Sequence, residues 1–328
     1  SEKIIIADKN TVNVQIISAL PSDVRIISQV NPVQNMKAVK NKAEIDNMQR
    51  VHIIDGIALV KFMRLIKSAE ARTYTELSAA QKLLELRRES EDFIFDSFET
   101  ISAYAENAAI IHYSPTGESN KIIESKGALL IDSGAQYRGG TTDVTRMFIL
   151  GETAPEFKRD YTLVCKAMLK LQNIHFPIGT KSAVLDGVVR EPLWKYGVDF
   201  RHGTGHGIGY MLSVHEGPQR ISFRDTASEI IPGMITSDEP GIYVDGKYGI
   251  RLENALLCVE DDITEYGKFC KFIPLTLCPI DLDGIDLSLL TREDIDSINE
   301  YHKLVREKLM PYLTGDDAEY LETVTCQI

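Results

Sequence analysis

A mixture of helices and antiparallel strands, an α+β fold, is predicted by two features of the chain's pattern. Apolar periodicity runs helix, helix, strands, helix, helix, strands, which suggests two similar halves, although no residue-level repeat connects them. In the middle, two β-rich runs, "ALLID" and "DVTRMFIL", are joined across Gly139-Gly140, and a β-hairpin is their simplest arrangement. With 328 residues and 44% hydrophobic content, the chain can fill a substantial core.

The opening "KIIIAD", "VNVQIISAL" and "VRIIS" reads as strand, helix and strand, too short to close a core alone. Residues 1–42 are therefore expected to be the end of an upstream domain plus a linker. After the turn-like "VNPVQN", Ile45, Met48, Ile53, Ile57, Leu59 and Phe62 recur at roughly helical spacing on one long helix that carries His52. A second helix follows Thr75, a natural cap, with Leu77, Leu83, Leu84 and Leu86 opposite its charges. Beyond the hairpin, "APEFKRDYTLVCKAMLKLQNIHF" and "SAVLDGVVREPLWKYG" read as helices, and strands return around "MITSDEPGIYV" and "GIRLENALLCVE". The tail "TREDIDSINEYHKLVREKLMPYL" is an amphipathic helix capped by Thr291.

The 36 Lys+Arg against 48 Asp+Glu give a formal charge of −12, which argues against nucleic acid or an anionic membrane as the main partner and makes a cation a more natural guest. No apolar run approaches the roughly 18 residues a membrane-spanning helix needs, and "SEKIIIADKN" lacks the basic and long apolar regions of a signal peptide. A cytoplasmic protein is expected. Cys165, Cys258, Cys270, Cys278 and Cys326 are scattered without C-x-x-C spacing and are read as free thiols.

Asp132 closes one strand and Asp143 opens its partner, so a hairpin would bring both carboxylates to one end of a sheet, where they repel unless a positive charge lies between them. Glu239 in "SDEPG" and Glu253 in "IRLEN" repeat the arrangement around the turn "VDGKYG". The ribbon "RHGTGHGIGYMLSVHEGP" adds His202, His206 and His215. Four acids and an imidazole would bind two divalent metals, and this donor set suits Mn²⁺, or Zn²⁺, Co²⁺ or Fe²⁺, better than a thiolate-preferring ion. A paired-metal site points to hydrolysis. The fragment "GTGHGIG" is not a phosphate cradle, because Ile208 stands where G-x-G-x-x-G needs glycine.

The segments "IDSGAQYRGGTTDVTR", "RHGTGHGIG", "VHEGP", "SDEPGIY" and "GIRLEN" resemble those of the pita-bread metallopeptidases, and most closely the long cytosolic branch of the aminopeptidase P family. The resemblance runs from about residue 43 to the C-terminus. It implies a pita-bread (creatinase/aminopeptidase-like) fold, a curved antiparallel sheet in two pseudo-symmetric halves covered by helices. It also implies a catalytic domain over 43–262 and a C-terminal extension over 263–328.

The same resemblance implies Asp132, Asp143, His206, Glu239 and Glu253 as ligands of two divalent ions, manganese first and zinc or cobalt as substitutes, with Asp143 and Glu253 bridging. His52, His202 and His215 would surround the substrate carbonyl and proline, with Arg251 and Tyr243 behind the ligands. The implied reaction removes an N-terminal residue followed by proline through a metal-activated hydroxide; Glu239 relays its proton and His215 or His202 stabilises the oxyanion. Glycines 203, 205, 207 and 209 would let the backbone approach metals and substrate. Peptides with proline second are the implied partners, and a homodimer is one assembly open to the longer protein. Prolidase, which takes only dipeptides, and a non-catalytic pita-bread binding module are the alternatives. His112 in "AIIHYSP" is open between structure and pocket lining, His175 and His302 are expected on helix surfaces, and Trp194 is expected to pack.

Overall fold

Residues 3–9, 11–68 and 73–328 are described by the computed structural model. Strands β1 (Lys3–Ala7) and β2 (Val24–Ser28) pair in parallel across the short helix α1 (Val14–Ser18), leaving Ile4, Ile6 and Ile16 exposed. The segment buries too little to hold itself. Helix α2 (Pro32–Ala38) follows, and Lys37 Nζ donates to Glu216 Oε2 at 2.9 Å while Lys40 N donates to Gly233 O at 2.8 Å.

Helix α3 (Lys42–Ile66) begins where the Asn41 side chain accepts from Glu44 N and Glu44 reciprocates to Asn41 N, a capping box that satisfies two orphan donors. Its buried face includes Met48, Val51, His52, Asp55, Leu59, Phe62, Met63 and Ile66, and Phe62 meets Phe148 edge-on at 5.4 Å. Helix α4 (Glu76–Arg87) is capped by Thr75 through Ser78.

The first half of the sheet contains β3 (Phe93–Asp96), β4 (Ile101–Tyr104), β5 (Ala128–Ser133), β6 (Ala135–Tyr137), β7 (Gly140–Thr141) and β8 (Val144–Ile149). Strands β4, β5 and β8 form one antiparallel unit in which Asp132 lies opposite Thr145. The Gly139-Gly140 turn closes a smaller hairpin, β6–β7, inserted between β5 and β8 and joined to β3. The two β-rich runs thus pair as expected, with a second hairpin at their tip.

Helix α5 (Pro155–Gln172), strand β9 (His175–Pro177) and helix α6 (Ser182–Trp194) lead into β10 (Gly205–His206), β11 (Arg220–Ile221), β12 (Ile235–Asp238), β13 (Gly241–Val244), β14 (Tyr248–Arg251), β15 (Asn254–Thr264) and β16 (Gly267–Pro274). Strands β12 and β15 pair antiparallel as β5 and β8 do, and the hairpin β13–β14 occupies the place of β6–β7. The two halves therefore repeat in topology where the sequence shows no repeat. Helix α7 (Arg292–Leu309), capped by Thr291 and Asp294, and helix α8 (Gly315–Val324), which sequence periodicity did not single out, close the chain.

Three expectations change. His175 lies on strand β9, exposed beside Asp261. His302 is fully buried in α7, where its Nε2 accepts from Ile280 N at 3.1 Å, because it falls on the same inward stripe as Ile298, Val305 and Leu309. Trp194 is more than half exposed at the last residue of α6 instead of packing.

Candidate metal centre

The paired outer strands of each half deliver their acids at equivalent points. Asp132 sits near the end of β5 and Asp143 just before β8, while Glu239 follows β12 and Glu253 precedes β15. The halves meet here, where Thr145 Oγ1 donates to Glu253 Oε2 at 2.8 Å and Glu253 N donates to Thr145 O at 3.1 Å. Ligand atoms of Asp143, His206 and Glu253 all lie within 4.8 Å of one another. His206 Nε2 is 3.4 Å from both Asp143 Oδ2 and Glu239 Oε1. Asp132 is set back, with Oδ2 accepting from Arg251 Nη2 at 2.6 Å and Oδ1 buried without a hydrogen-bond partner.

The electrostatics fit a cation. Burial and the neighbouring carboxylates push Glu253 well above its ordinary range, burial pushes Asp143 up against the pull of His206, and burial with the charge of Asp143 lifts Glu239 to about 7. Burial alone would neutralise the His206 imidazole, but the Asp143 carboxylate and the charge of Glu239 raise it to about 9. Carboxylates buried together in this way favour a positive charge among them, and hard oxygens with one imidazole nitrogen are the donors a first-row divalent ion prefers.

The glycine-rich ribbon is shaped by its own neighbours. A Cβ on Gly205 would stand 1.9 Å from Ser237 O on β12, and one on Gly207 would stand 2.1 Å from Glu216 O. Glycine is therefore needed at 205 for the ribbon to lie flat on β12 and at 207 for it to fold back against Glu216. Helix α6 fixes the strap before it: Arg190 pairs with Asp186 at 2.7 Å and donates to Phe200 O and His202 O, while Thr204 Oγ1 donates to Asp186 Oδ1 at 2.8 Å. Glu239 N then hooks onto Thr204 O at 2.7 Å.

His202 is held in one tautomer. A carbonyl only accepts, so Nδ1 carries the hydrogen that reaches Gly203 O at 2.7 Å. The Tyr243 hydroxyl accepts from Arg251 Nη1 at 2.9 Å and so donates its own hydrogen to His202 Nε2 at 2.9 Å. Burial puts this imidazole down to about 4, assisted by the charge of Arg251. With both nitrogens engaged, His202 has no donor left for an oxyanion. His215, edge-on to His206 at 4.1 Å between ring centroids, stays accessible to solvent, and its partial enclosure together with the His206 charge lowers it to about 4.

His52 is not part of this constellation. Its Nδ1 is hydrogen-bonded to Met48 O one turn back at 2.7 Å, its Nε2 is enclosed without a partner, and Asp55 is the charge that acts on it. Its spacing from Met48, Asp55 and Leu59 places it on the buried stripe of α3. The third imidazole is His112, whose charge acts on both His202 and His215; Arg251 Nη2 reaches the carbonyl of its neighbour Ile111 at 3.5 Å. Its exposed loop ahead of Pro115 was the available signal. Thr145 and Arg190 gave none, because each acts through contacts distant in sequence.

Two family models match the chain: metallopeptidase family M24 over residues 46–260 and the C-terminal region of peptidase M24 over 268–328. Aminopeptidase P1 of Arabidopsis thaliana is 39% identical, covering 92% of this chain and 51% of its own length. Xaa-Pro aminopeptidase 1 of Dictyostelium discoideum is 40% identical, covering 88% and 47%. The X-prolyl aminopeptidase of Caenorhabditis elegans, described as a cytosolic enzyme with a di-nuclear active site, superposes with a TM-score of 0.88 at 37% identity over 94% of this chain and 51% of that one. The Xaa-Pro dipeptidase of Bacillus anthracis superposes at 0.71 with 26% identity, over 85% and 73%. The chain thus spans about half the length of the curated relatives it matches.

Proposed function

Because the chain belongs to metallopeptidase family M24 and has the pita-bread fold, we propose that it is the catalytic part of a metal-dependent Xaa-Pro aminopeptidase, acting in the cytosol on peptides with proline in second position. The observation that carries this reading is the convergence of Asp143, His206 and Glu253, flanked by Asp132 and Glu239, beside the Asp132–Arg251–Tyr243–His202 relay. Residues 43–262 form the catalytic domain in this reading, with 263–328 as its C-terminal extension and 1–42 belonging to an upstream part. Among the described residues no helix is long and apolar enough to cross a membrane.

The five ligand candidates, Asp132, Asp143, His206, Glu239 and Glu253, would hold two divalent ions, manganese foremost. Bound there, the ions would polarise the scissile carbonyl and make water nucleophilic near neutral pH. The rest falls to the chain. Glu239, whose Oε1 lies 3.4 Å from His206 Nε2, is the carboxylate placed to take up and pass on the proton that a nucleophilic water gives up. His215 and His112, both exposed, can donate a hydrogen bond to the substrate carbonyl oxygen, and the proton taken up by the Glu239 carboxylate can pass to the departing proline nitrogen. His202, anchored by Tyr243 and Gly203, presents a fixed apolar ring face against which proline can lie.

Prolidase shares this fold, but the aminopeptidases of Caenorhabditis elegans, Arabidopsis thaliana and Dictyostelium discoideum match at 37%, 39% and 40% whereas the Bacillus anthracis dipeptidase matches at 26%. Release of the first residue from an Xaa-Pro-Xaa tripeptide after Mn²⁺ is supplied, compared with cleavage of Xaa-Pro, separates the two. Cleavage of the dipeptide alone would replace the reading with prolidase; metal uptake without either activity would leave a metal-binding module.

A further inference from the structure

We infer that Arg146 and Tyr301 are positioning residues for Glu253, so that the C-terminal segment sets the geometry of the metal centre together with the sheet that carries the acids. This rests on Glu253 being a metal ligand. Successive residues of β8 point to opposite faces. On one face Thr145 Oγ1 holds the Glu253 carboxylate at 2.8 Å; on the other, Arg146 Nη1 donates to Glu253 O at 2.6 Å and to Thr145 O at 2.9 Å. One strand therefore grips both the side chain and the backbone of the same acid.

The other arm of Arg146 is tied to the C-terminal segment. Nη2 donates to Tyr301 Oη at 2.7 Å, to Cys278 O at 3.0 Å and to Asn254 Oδ1 at 2.7 Å, and Nε reaches Cys278 O at 3.2 Å. The guanidinium is fully buried, and among the described residues its hydrogen-bond partners are all neutral oxygens. A buried cation solvated only by neutral acceptors depends on each of them. Without the Tyr301 oxygen, Nη2 keeps Cys278 O, which Nε already shares, and Asn254 Oδ1, which loses the Tyr301 hydroxyl that also donates to it; the guanidinium then has no side-chain tie to α7, and the fork that clamps the Glu253 carbonyl can turn.

Partners that orient a metal ligand typically change metal affinity or activity by about ten- to a hundredfold when removed. The test is Tyr301→Phe, stripped with chelator and titrated with Co²⁺ by visible absorbance and with Mn²⁺ by calorimetry, beside wild type and Tyr320→Phe. The Tyr320 hydroxyl, in the same segment, has no hydrogen-bond partner in the structure. Tyr301→Phe should bind metal about tenfold more weakly or worse and lose kcat without a matching change in KM, while Tyr320→Phe binds as wild type. Arg146→Lys, which keeps the charge but cannot span Glu253 O and Tyr301 Oη together, should show the same loss. Wild-type metal affinity in both Tyr301→Phe and Arg146→Lys, whatever their melting temperatures, would overturn the inference; a wild-type protein that takes up no metal would overturn the site reading itself.

Discussion

The Tyr243 hydroxyl donates to His202 Nε2 at 2.9 Å while accepting from Arg251 Nη1 at the same distance, so a phenol passes the orientation of a buried ion pair to an imidazole. The ion pair is Arg251–Asp132, at 2.6 Å, and Arg251 also donates to Thr145 Oγ1, which holds Glu253. Acids from both halves of the sheet and the His202 imidazole are therefore parts of a single network. Such networks have more effect than their separate bonds suggest.

Tyr243→Phe should break the last link while leaving the ligands in place. Burial still holds His202 near 4, so no new ionisation should enter the pH–rate profile between about 6 and 8. The ring loses its anchor, and kcat should fall about tenfold with metal content unchanged. A pH–rate profile beside elemental analysis checks both; a new inflection near neutrality would show that Tyr243, and not burial, keeps the imidazole neutral.

Removing metal should make stability fall as pH rises. Glu239, raised by burial from 4.5 to about 7, keeps a proton in the folded state that the unfolded chain gives up across that window. His206, raised by its acidic neighbours from 6.5 to about 9, stabilises the fold below 6.5 and ceases to do so as pH climbs through 9. Both slopes have the same sign. Metal favours the ionised acids and neutral imidazole, so its stabilising effect should grow with pH. Thermal melts of chelator-stripped and Mn²⁺-loaded protein at about pH 5.5, 7 and 8.5 read this directly, and a metal effect that shrinks with pH would contradict the assignment of these groups.

What could be read from the sequence was what repeats at short range. Asp132 and Asp143 flank glycines that must turn, and Glu239 and Glu253 flank "VDGKYG", so pairing each couple needed only hairpin rules. His52 shows where resemblance outran periodicity: its spacing from Met48 and Leu59 already marked a buried helix stripe. His112 stays open between structure and pocket lining in the sequence because nothing local ties an exposed loop to a ribbon 90 residues on, a link the structure makes through Arg251 and Ile111. The same holds for Arg146, whose partners at Glu253, Cys278 and Tyr301 share no local pattern.

The glycines of the ribbon should not be equivalent. A Cβ on Gly205 would overlap Ser237 O at 1.9 Å, whereas one on Gly203 meets Ile221 O at 3.3 Å, a contact a small shift relieves. Gly205→Ala is expected to destabilise by roughly 3 kcal/mol or more and to displace His206, whereas Gly203→Ala should change stability by less than about 1 kcal/mol. Denaturant titrations of the two variants decide the matter, and equal costs would mean that the ribbon can lift off β12.

His302 provides the opposite pH slope. It is enclosed in α7, its Nε2 accepts from Ile280 N at 3.1 Å, and the charges facing it belong to Arg146 and Arg306. Burial, helped by those charges, lowers it from 6.5 to about 4. Between those values the unfolded chain binds a proton that the folded one refuses, so stability is fully present above 6.5 and is lost as pH falls toward 4. From pH 6.5 to pH 5 the loss amounts to about 2 kcal/mol. His302→Gln, which can still accept from Ile280 N, removes the titration. The wild-type advantage over this variant in denaturant titrations should therefore narrow by about that amount between pH 7 and pH 5. An advantage that stays constant across the range would mean that His302 titrates alike in the folded and unfolded chain, and so that α7 does not seal it from water.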